Sequence, residues 1–182
     1  GMLEVINRRN WWVIKNGSSE YIKKIIKGFE KKICLSTQVK KVSRNAAGIE
    51  ISVTGKDQAL EFDSVVFAIH SDQVLKILNE PTNAEKDILS SIPYQKNKVL
   101  LHTDSSVLPK RKLAWASWNY QVGKDSEKGL AVLHYNMNIL QGLKTNRTFC
   151  VSLNPRQPLA ENKILRTLTY HHPIFTPEGA KQ

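Results

Sequence analysis

The sequence predicts a mixed α+β fold, mainly antiparallel sheet flanked by a few helices. Three observations predict it. The segment "EYIKKIIKGFEKKI" repeats apolar residues at helical spacing. The segment "GIEISVTG" alternates apolar and polar residues, as a half-exposed strand does. From Asn97 onward, strand-length runs alternate with turn-like spacers.

The elements follow in order. Ser18 or Ser19 is placed to cap the first helix, with Glu20 in its first turn. Tyr21, Ile22, Ile25, Ile26, Phe29 and Ile33 make its apolar face, and lysines take the other face. "ICLS" (Ile33–Ser36) and "QVKKVSR" (Gln38–Arg44) read as short strands. Asn45–Gly48 is the turn into Gly48–Gly55. "ALEFDSVVFAI" then ends in the apolar run Val65–Ile69, the pattern of a strand covered on both faces. His70, Ser71 and Asp72 form a polar junction, and Ser71 or Asp72 is expected to cap a helix over Gln73–Leu78. Pro81 stops that helix. Thr82 or Asn83 caps the next, with Glu85 in its first turn and an end near Ser91. The remaining runs are "KVLLHTD", "KLAWASWNY", "GLAVLHYNMN", "RTFCVSLN" and "ILRTLTYHHPIF", each expected as a strand.

Composition bounds the class. The chain has 182 residues, 41% hydrophobic and 24% charged, which suits a globular domain with a real core. Apolar runs reach only about five residues, against the roughly 20 that span a bilayer. No apolar segment follows a basic start, so no secretory signal is read. The cysteines, Cys34 and Cys150, are far apart and outside any metal-binding spacing. They read as reduced thiols, and the expected compartment is cytoplasmic. Gly1 before Met2 reads as a remnant of tag removal, so the ends need not be natural ends. The net charge is +11, but the lysines are spread along the chain and match no nucleic-acid motif. No nucleic-acid partner is expected. The lysine-rich first helix leaves room for peripheral membrane association.

The sequence carries little self-sufficient chemistry. There is no G-x-G-x-x-G, Walker loop, H-E-x-x-H or G-x-S-x-G. His70-Ser71-Asp72 is no relay, because three consecutive residues cannot fold onto one another. His171 and His172 are neighbours that point to opposite faces of a strand, so no metal site is read. "AWASWNY" is more informative. On a strand it puts Trp115, Ser117 and Asn119 on one face and Ala116, Trp118 and Tyr120 on the other. Such residues serve core packing or line a pocket for a planar or apolar ligand.

Several segments together carry a resemblance: "WWVIKNGSSEYIKKI", "VKKVSRNAAGIEISV", "FDSVVFAIHSDQVLKIL", "LSSIPYQKNKVLLHTDSSVLPKRKLAWASWNY" and "LTYHHPIF". In this order the chain resembles the central part of the flavin-dependent amine oxidase superfamily, and within it a bacterial group of NAD/FAD-binding oxidoreductases. The resemblance implies a fragment. Residues 1–92 would form part of the cofactor-binding domain, and residues 93–182 the substrate-domain sheet. The family's Gly-rich nucleotide-binding segment and its final flavin segment would lie outside this stretch.

The resemblance also implies roles. Val39 would offer its backbone to the adenine end of FAD. The strand ending "VVFAI" would bring Ala68 and His70 beside the cofactor. Relatives carry Thr-Pro or Ala-Pro at this point, and Ile69-His70 departs from that. A family lysine that holds a water near the flavin would fall at Asn97 or Lys98, and the spacing does not choose. His102, Trp115, Trp118, Asn119 and Tyr120 are the expected substrate wall. The catalytic residues are unknown.

The function implied is therefore a part of an FAD-dependent oxidoreductase, inactive by itself and not expected to hold FAD alone. Its partner would be a small molecule of apolar or lipid-like kind. The alternative is a free-standing module that binds an apolar ligand or a protein without catalysis. A third reading, a basic adaptor for membrane or nucleic acid, requires binding that falls steeply with salt.

Overall fold

The computed structural model describes residues 12–122, 130–177 and 179–181. In chain order the elements are α1 (Ser19–Ile25), β1 (Val39–Asn45), β2 (Gly48–Val53), β3 (Leu60–Phe62), α2 (Ser71–Ile77) and α3 (Asn83–Ser90). There follow β4 (Tyr94–His102), β5 (Trp118–Tyr120), β6 (Leu133–Asn136), α4 (Met137–Gln141), β7 (Cys150–Leu153) and β8 (Ile164–Pro173). The fold is mixed α+β, as the sequence predicts. One sheet has the order β1-β2-β3, the other β5-β6-β7-β4-β8. The chain divides into two compact units. The first is Gly1–Glu30 with Asn97–Tyr170, the second Lys31–Lys96 with His171–Gln182.

In the second unit, β1 and β2 form an antiparallel hairpin. Its turn is built by Asn45, whose Oδ1 accepts from the Ala47 and Gly48 amides at 2.8 and 2.9 Å. Gly48 has φ +144, and a Cβ there would lie 2.6 Å from the Phe62 carbonyl oxygen. Only glycine fits that approach. Among the described residues of this unit, the buried apolar side chains are Val42, Val53 and Val74. Thr82 and Glu85 form the expected capping box of α3. Arg44 also grips Glu85 through both guanidinium nitrogens at 2.8 and 3.0 Å.

Three expectations in this half change. The segment Ile33–Ser36 forms no strand, and Ser36 turns the chain at φ +53. The run Val65–Ile69 joins no ladder among the described residues. Val66 is 91% exposed and Ile69 47%, the reverse of a strand covered on both faces. A strand needs a neighbour for its backbone groups, and none is supplied there. The helix α2 starts at Ser71, so neither Ser71 nor Asp72 is its cap. Instead the Ser71 amide donates to the Tyr94 hydroxyl at 3.0 Å. A residue 23 positions away thus does the work expected of a local side chain.

In the first unit, α1 is shorter than its apolar pattern. It ends at Ile25, and Gly28 takes φ +97. No residue of α1 is buried, and Ser18 makes no side-chain cap bond. Two strands are also shorter than expected. Lys112–Ala114 is a 3-10 turn, so β5 keeps only Trp118–Tyr120. The run "GLAVLHYNMN" stops being strand at Asn136. There the Asn136 Oδ1 accepts from the Asn138 and Ile139 amides and starts α4. The spacer expected over Gln121–Lys128 lies largely outside the described residues.

Candidate functional site

The candidate site is built from the ladders of the five-stranded sheet. Trp118 pairs with Tyr135, Asn119 with His134 and Tyr120 with Leu133. Leu133 pairs with Leu153, His134 with Ser152, Tyr135 with Val151 and Asn136 with Cys150. On β4, Leu100 lies opposite Ser152 and His102 opposite Cys150. Paired residues share a face and successive residues alternate. One face therefore carries Asn119, His134, Asn136, Cys150, Ser152, Leu100 and His102. The other carries Trp118, Tyr120, Leu133, Tyr135, Val151, Leu153, Leu101 and Val99, of which Val99 on β4 is buried at 4% exposure.

Burial then sorts the two faces in an unusual way. His102, Cys150 and Ser152 are 0% exposed, Asn136 1% and His134 2%. The polar face is inside. On the apolar face Trp118 is 47% exposed and Tyr120 57%, and Leu133, Tyr135, Val151 and Leu153 are half-buried. A face of large apolar side chains left partly open is the kind of surface that receives an apolar ligand. Trp118 and Tyr135 meet edge-on there, with ring centroids 6.0 Å apart and an angle of 75°.

The inside face is held together by its own hydrogen bonds. Ser152 Oγ lies 2.7 Å from His102 Nε2 and 2.7 Å from His134 Nδ1. His134 Nε2 lies 3.1 Å from Gln121 Oε1. Burial pushes both imidazoles below the ordinary histidine value. The Asp104 charge and a backbone hydrogen bond at Asp104 oppose this at His102, and the His102 ring adds to it at His134. Near the end of β4, burial works to raise the Asp104 carboxyl. Hydrogen bonds from the Ala160 and Ser106 amides, the Ser106 hydroxyl and Lys163 outweigh it and hold the carboxyl down at about 2. Burial first, then Asp104, pushes the Cys150 thiol up to about 11, so it is no nucleophile.

The expected substrate wall is thus split. Trp118 and Tyr120 lie on the open face. His102 and Asn119 lie on the inner one. Asn119 is occupied locally: its Nδ2 donates to the Ala116 and His134 carbonyls at 2.7 and 3.1 Å. Trp115 leaves the chain at the end of the 3-10 turn and donates Nε1–H to the Pro109 carbonyl at 2.7 Å. Its expected place on a common strand with Trp118 is not found. Leu133, Tyr135 and Val151 were not singled out from the sequence. Their signal is alternation within two four-residue strands, visible only once the ladder partners are known. Of the two flavin-lysine candidates, Asn97 is buried and Lys98 exposed. The Asn97 Oδ1 accepts from Asn154 Nδ2 at 2.7 Å.

The expected cofactor contacts lie in the second unit. Val39 opens β1, half-buried, opposite Val53. Ala68 is exposed on the irregular run before α2. His70 is half-buried and stacks on Tyr94, with centroids 4.4 Å apart at 16°. Its Nδ1 stands 4.0 Å from Asp72 Oδ1. These positions do not by themselves make a pyrophosphate cradle. A pyrophosphate needs free backbone N–H groups. At α2 the Ser71 amide is engaged by Tyr94, and Asp72 adds a carboxylate. A cavity of about 180 Å³ lies at the β1–β2 turn, lined by Glu50, Glu61 and Asp63 among others. It has the wrong sign for phosphate, and it is below the roughly 300 Å³ of ordinary ligand pockets. It contains none of the expected site residues. Among the described residues, no group of three His, Cys, Asp or Glu side chains is placed to hold a metal. Nor is any helix there long and apolar enough to cross a membrane.

Comparison with known proteins gives three findings. No curated protein matches the chain. A solved structure, a CLA-producing fatty acid isomerase from P. acnes, is similar at 14% identity and a TM-score of 0.48. The match covers 75% of this chain and 35% of that one, so the chain spans about a third of that structure's length. The model of the flavin containing amine oxidoreductases matches residues 6–160, well over half of the 182. The chain belongs to the flavin containing amine oxidoreductase family.

Proposed function

We propose that the chain is the substrate-side part of an FAD-dependent oxidoreductase of amine-oxidase type. Residues 93–182 supply a sheet whose open apolar face floors the substrate site, and residues 1–92 contribute to the cofactor site. Family membership over residues 6–160 is the observation that carries this reading. In such an enzyme the flavin supplies the redox chemistry, and the protein supplies orientation and a dry surface. Trp118, Tyr120, Leu133 and Tyr135 suit an apolar or lipid-like small molecule. His102 and Asn119 support the sheet from behind. The FAD comes to this chain from segments that complete its cradle.

The test is the absorption spectrum of the protein encoded by the uninterrupted reading frame. Bands of bound oxidised flavin are expected, with FAD released on acid precipitation. A colourless protein that takes up no added FAD sinks the proposal. A second reading, a flavin-free module for apolar ligands, draws on the open face and on cofactor positions that do not by themselves make a pyrophosphate cradle. It predicts that the 182-residue chain alone binds an aromatic or fatty-acid probe at micromolar level, as read by calorimetry.

A further inference from the structure

A line of hydrogen bonds crosses the inner face of the five-stranded sheet, and it has a direction. Its start is a backbone amide, which can only donate. The Asp104 N–H donates to His102 Nδ1 at 3.1 Å. The neutral His102 ring therefore carries its one proton on Nε2. That Nε2–H donates to Ser152 Oγ, and the serine hydroxyl donates onward to His134 Nδ1. The His134 proton is then on Nε2, where it donates to Gln121 Oε1. One amide thus assigns both tautomers.

Neither ring accepts a second proton without breaking the line. A proton on His102 Nδ1 meets the Asp104 N–H, donor against donor. A proton on His134 Nδ1 meets the Ser152 hydroxyl proton. If the hydroxyl turns away, its proton has no acceptor in a site where Ser152 is 0% exposed. Two rings that share one serine also disfavour each other's charge. The groups acting on them are few. Asp104 draws a proton toward His102 through its charge and its backbone, but burial outweighs both, and the carboxylate is itself engaged by Lys163 at 3.3 Å. Cys150, opposite His102 on β7, is a neutral thiol.

We propose that the His102–Ser152–His134 line is an acid-sensitive lock on β4, β7 and β6, closed while both rings are neutral and opened when they protonate. The sign follows from burial, which lowers both rings in the folded chain. The stabilisation is complete above the ordinary histidine value of about 6.5 and is lost as pH falls through it toward the lowered folded values. β5 hangs on β6 alone in the sheet order, and Asn119 holds the His134 carbonyl. Opening the lock therefore also loosens Trp118 and Tyr120 on the opposite face.

The test needs no substitution at first. Long-range proton–nitrogen correlation on the 182-residue chain with nitrogen-labelled histidine reads each ring at about pH 7.5. His102 and His134 are both expected as neutral Nε2–H tautomers. An Nδ1–H tautomer at either ring, or protonation of either above about 6.5 in the folded chain, overturns the proposal. Denaturant unfolding between about pH 7.5 and 5 is the second reading. The unfolding constant should rise by up to tenfold per pH unit for each ring. A flat profile overturns the proposal. The variant His134→Gln should lose one ring's share of the slope, and an unchanged slope counts against the lock. If that variant does not fold, the tautomers of the unchanged chain decide.

Discussion

The two faces of the five-stranded sheet are made from the same short strands and behave oppositely. The inner face is polar and sealed, with His102, His134, Asn136 and Ser152 all at 2% exposure or less. The outer face is apolar and partly open at Trp118 and Tyr120. Water exclusion alone would turn the sheet over. It stays as it is because each buried polar group finds a partner, which removes most of the cost of burying it. The open apolar face is then available for a ligand. The comparison teaches that one layer can keep its stabilising contacts on one side and leave the other side free for the binding proposed above.

The sharpest way to break this division is at its centre. Ser152→Ala leaves His102 Nε2 and His134 Nδ1 without their partner in a dry site. Two orphaned groups at about 1–3 kcal/mol each predict a loss of roughly 2–6 kcal/mol in denaturant unfolding. A loss under about 1 kcal/mol would mean that the inner face is not held by this line. A smaller loss is expected at its rim. Asp104→Ala removes the acceptor of the Ala160 and Ser106 amides and of Lys163, which costs about 1–3 kcal/mol. The unsubstituted Asp104 carboxyl, lowered to about 2, gives a second signature. Its contribution is present above the unfolded value near 3.9 and vanishes as pH falls toward about 2. Stability lost between those pH values should therefore be absent in the variant.

The outer face should respond in the opposite sense. Trp118→Ser gives up an edge-on contact with Tyr135 and little buried area, about 1 kcal/mol in stability. In the flavin-loaded full protein it should instead raise KM for an apolar substrate. A large stability loss with KM unchanged would reverse the roles of the faces. The smallest effect concerns association. The open apolar side chains, together with Val66 and Ile25, predict weak self-association of the chain alone. Light scattering that shows a clean monomer at high concentration would remove that expectation.

Much of the fold was legible in the residues. The α3 capping box stood in Thr82 and Glu85, and the hairpin turn in Asn45 and Gly48. These signals are local, so the sequence holds both partners close together. The misreadings share one cause. Val65–Ile69 has the composition of a covered strand, but a strand is defined by its neighbour. The cap of α2 comes from Tyr94, and the partners of the lock stand 18 and 50 positions apart. The site was half legible for the same reason. Trp118 and Tyr120 announce themselves as aromatic residues on one strand, while Tyr135 and Leu133 join them only through the ladder.

By itself the sequence determined the α+β class, the family likeness and the period-2 alternation that makes the two faces of each strand chemically different. Alternation cannot say which face is inside. Tertiary structure decided that, because the answer depends on whether His102, Ser152, His134 and Gln121 can satisfy one another across four separate stretches of chain. Once they do, the polar face can be buried, and the apolar face is left for something else to cover.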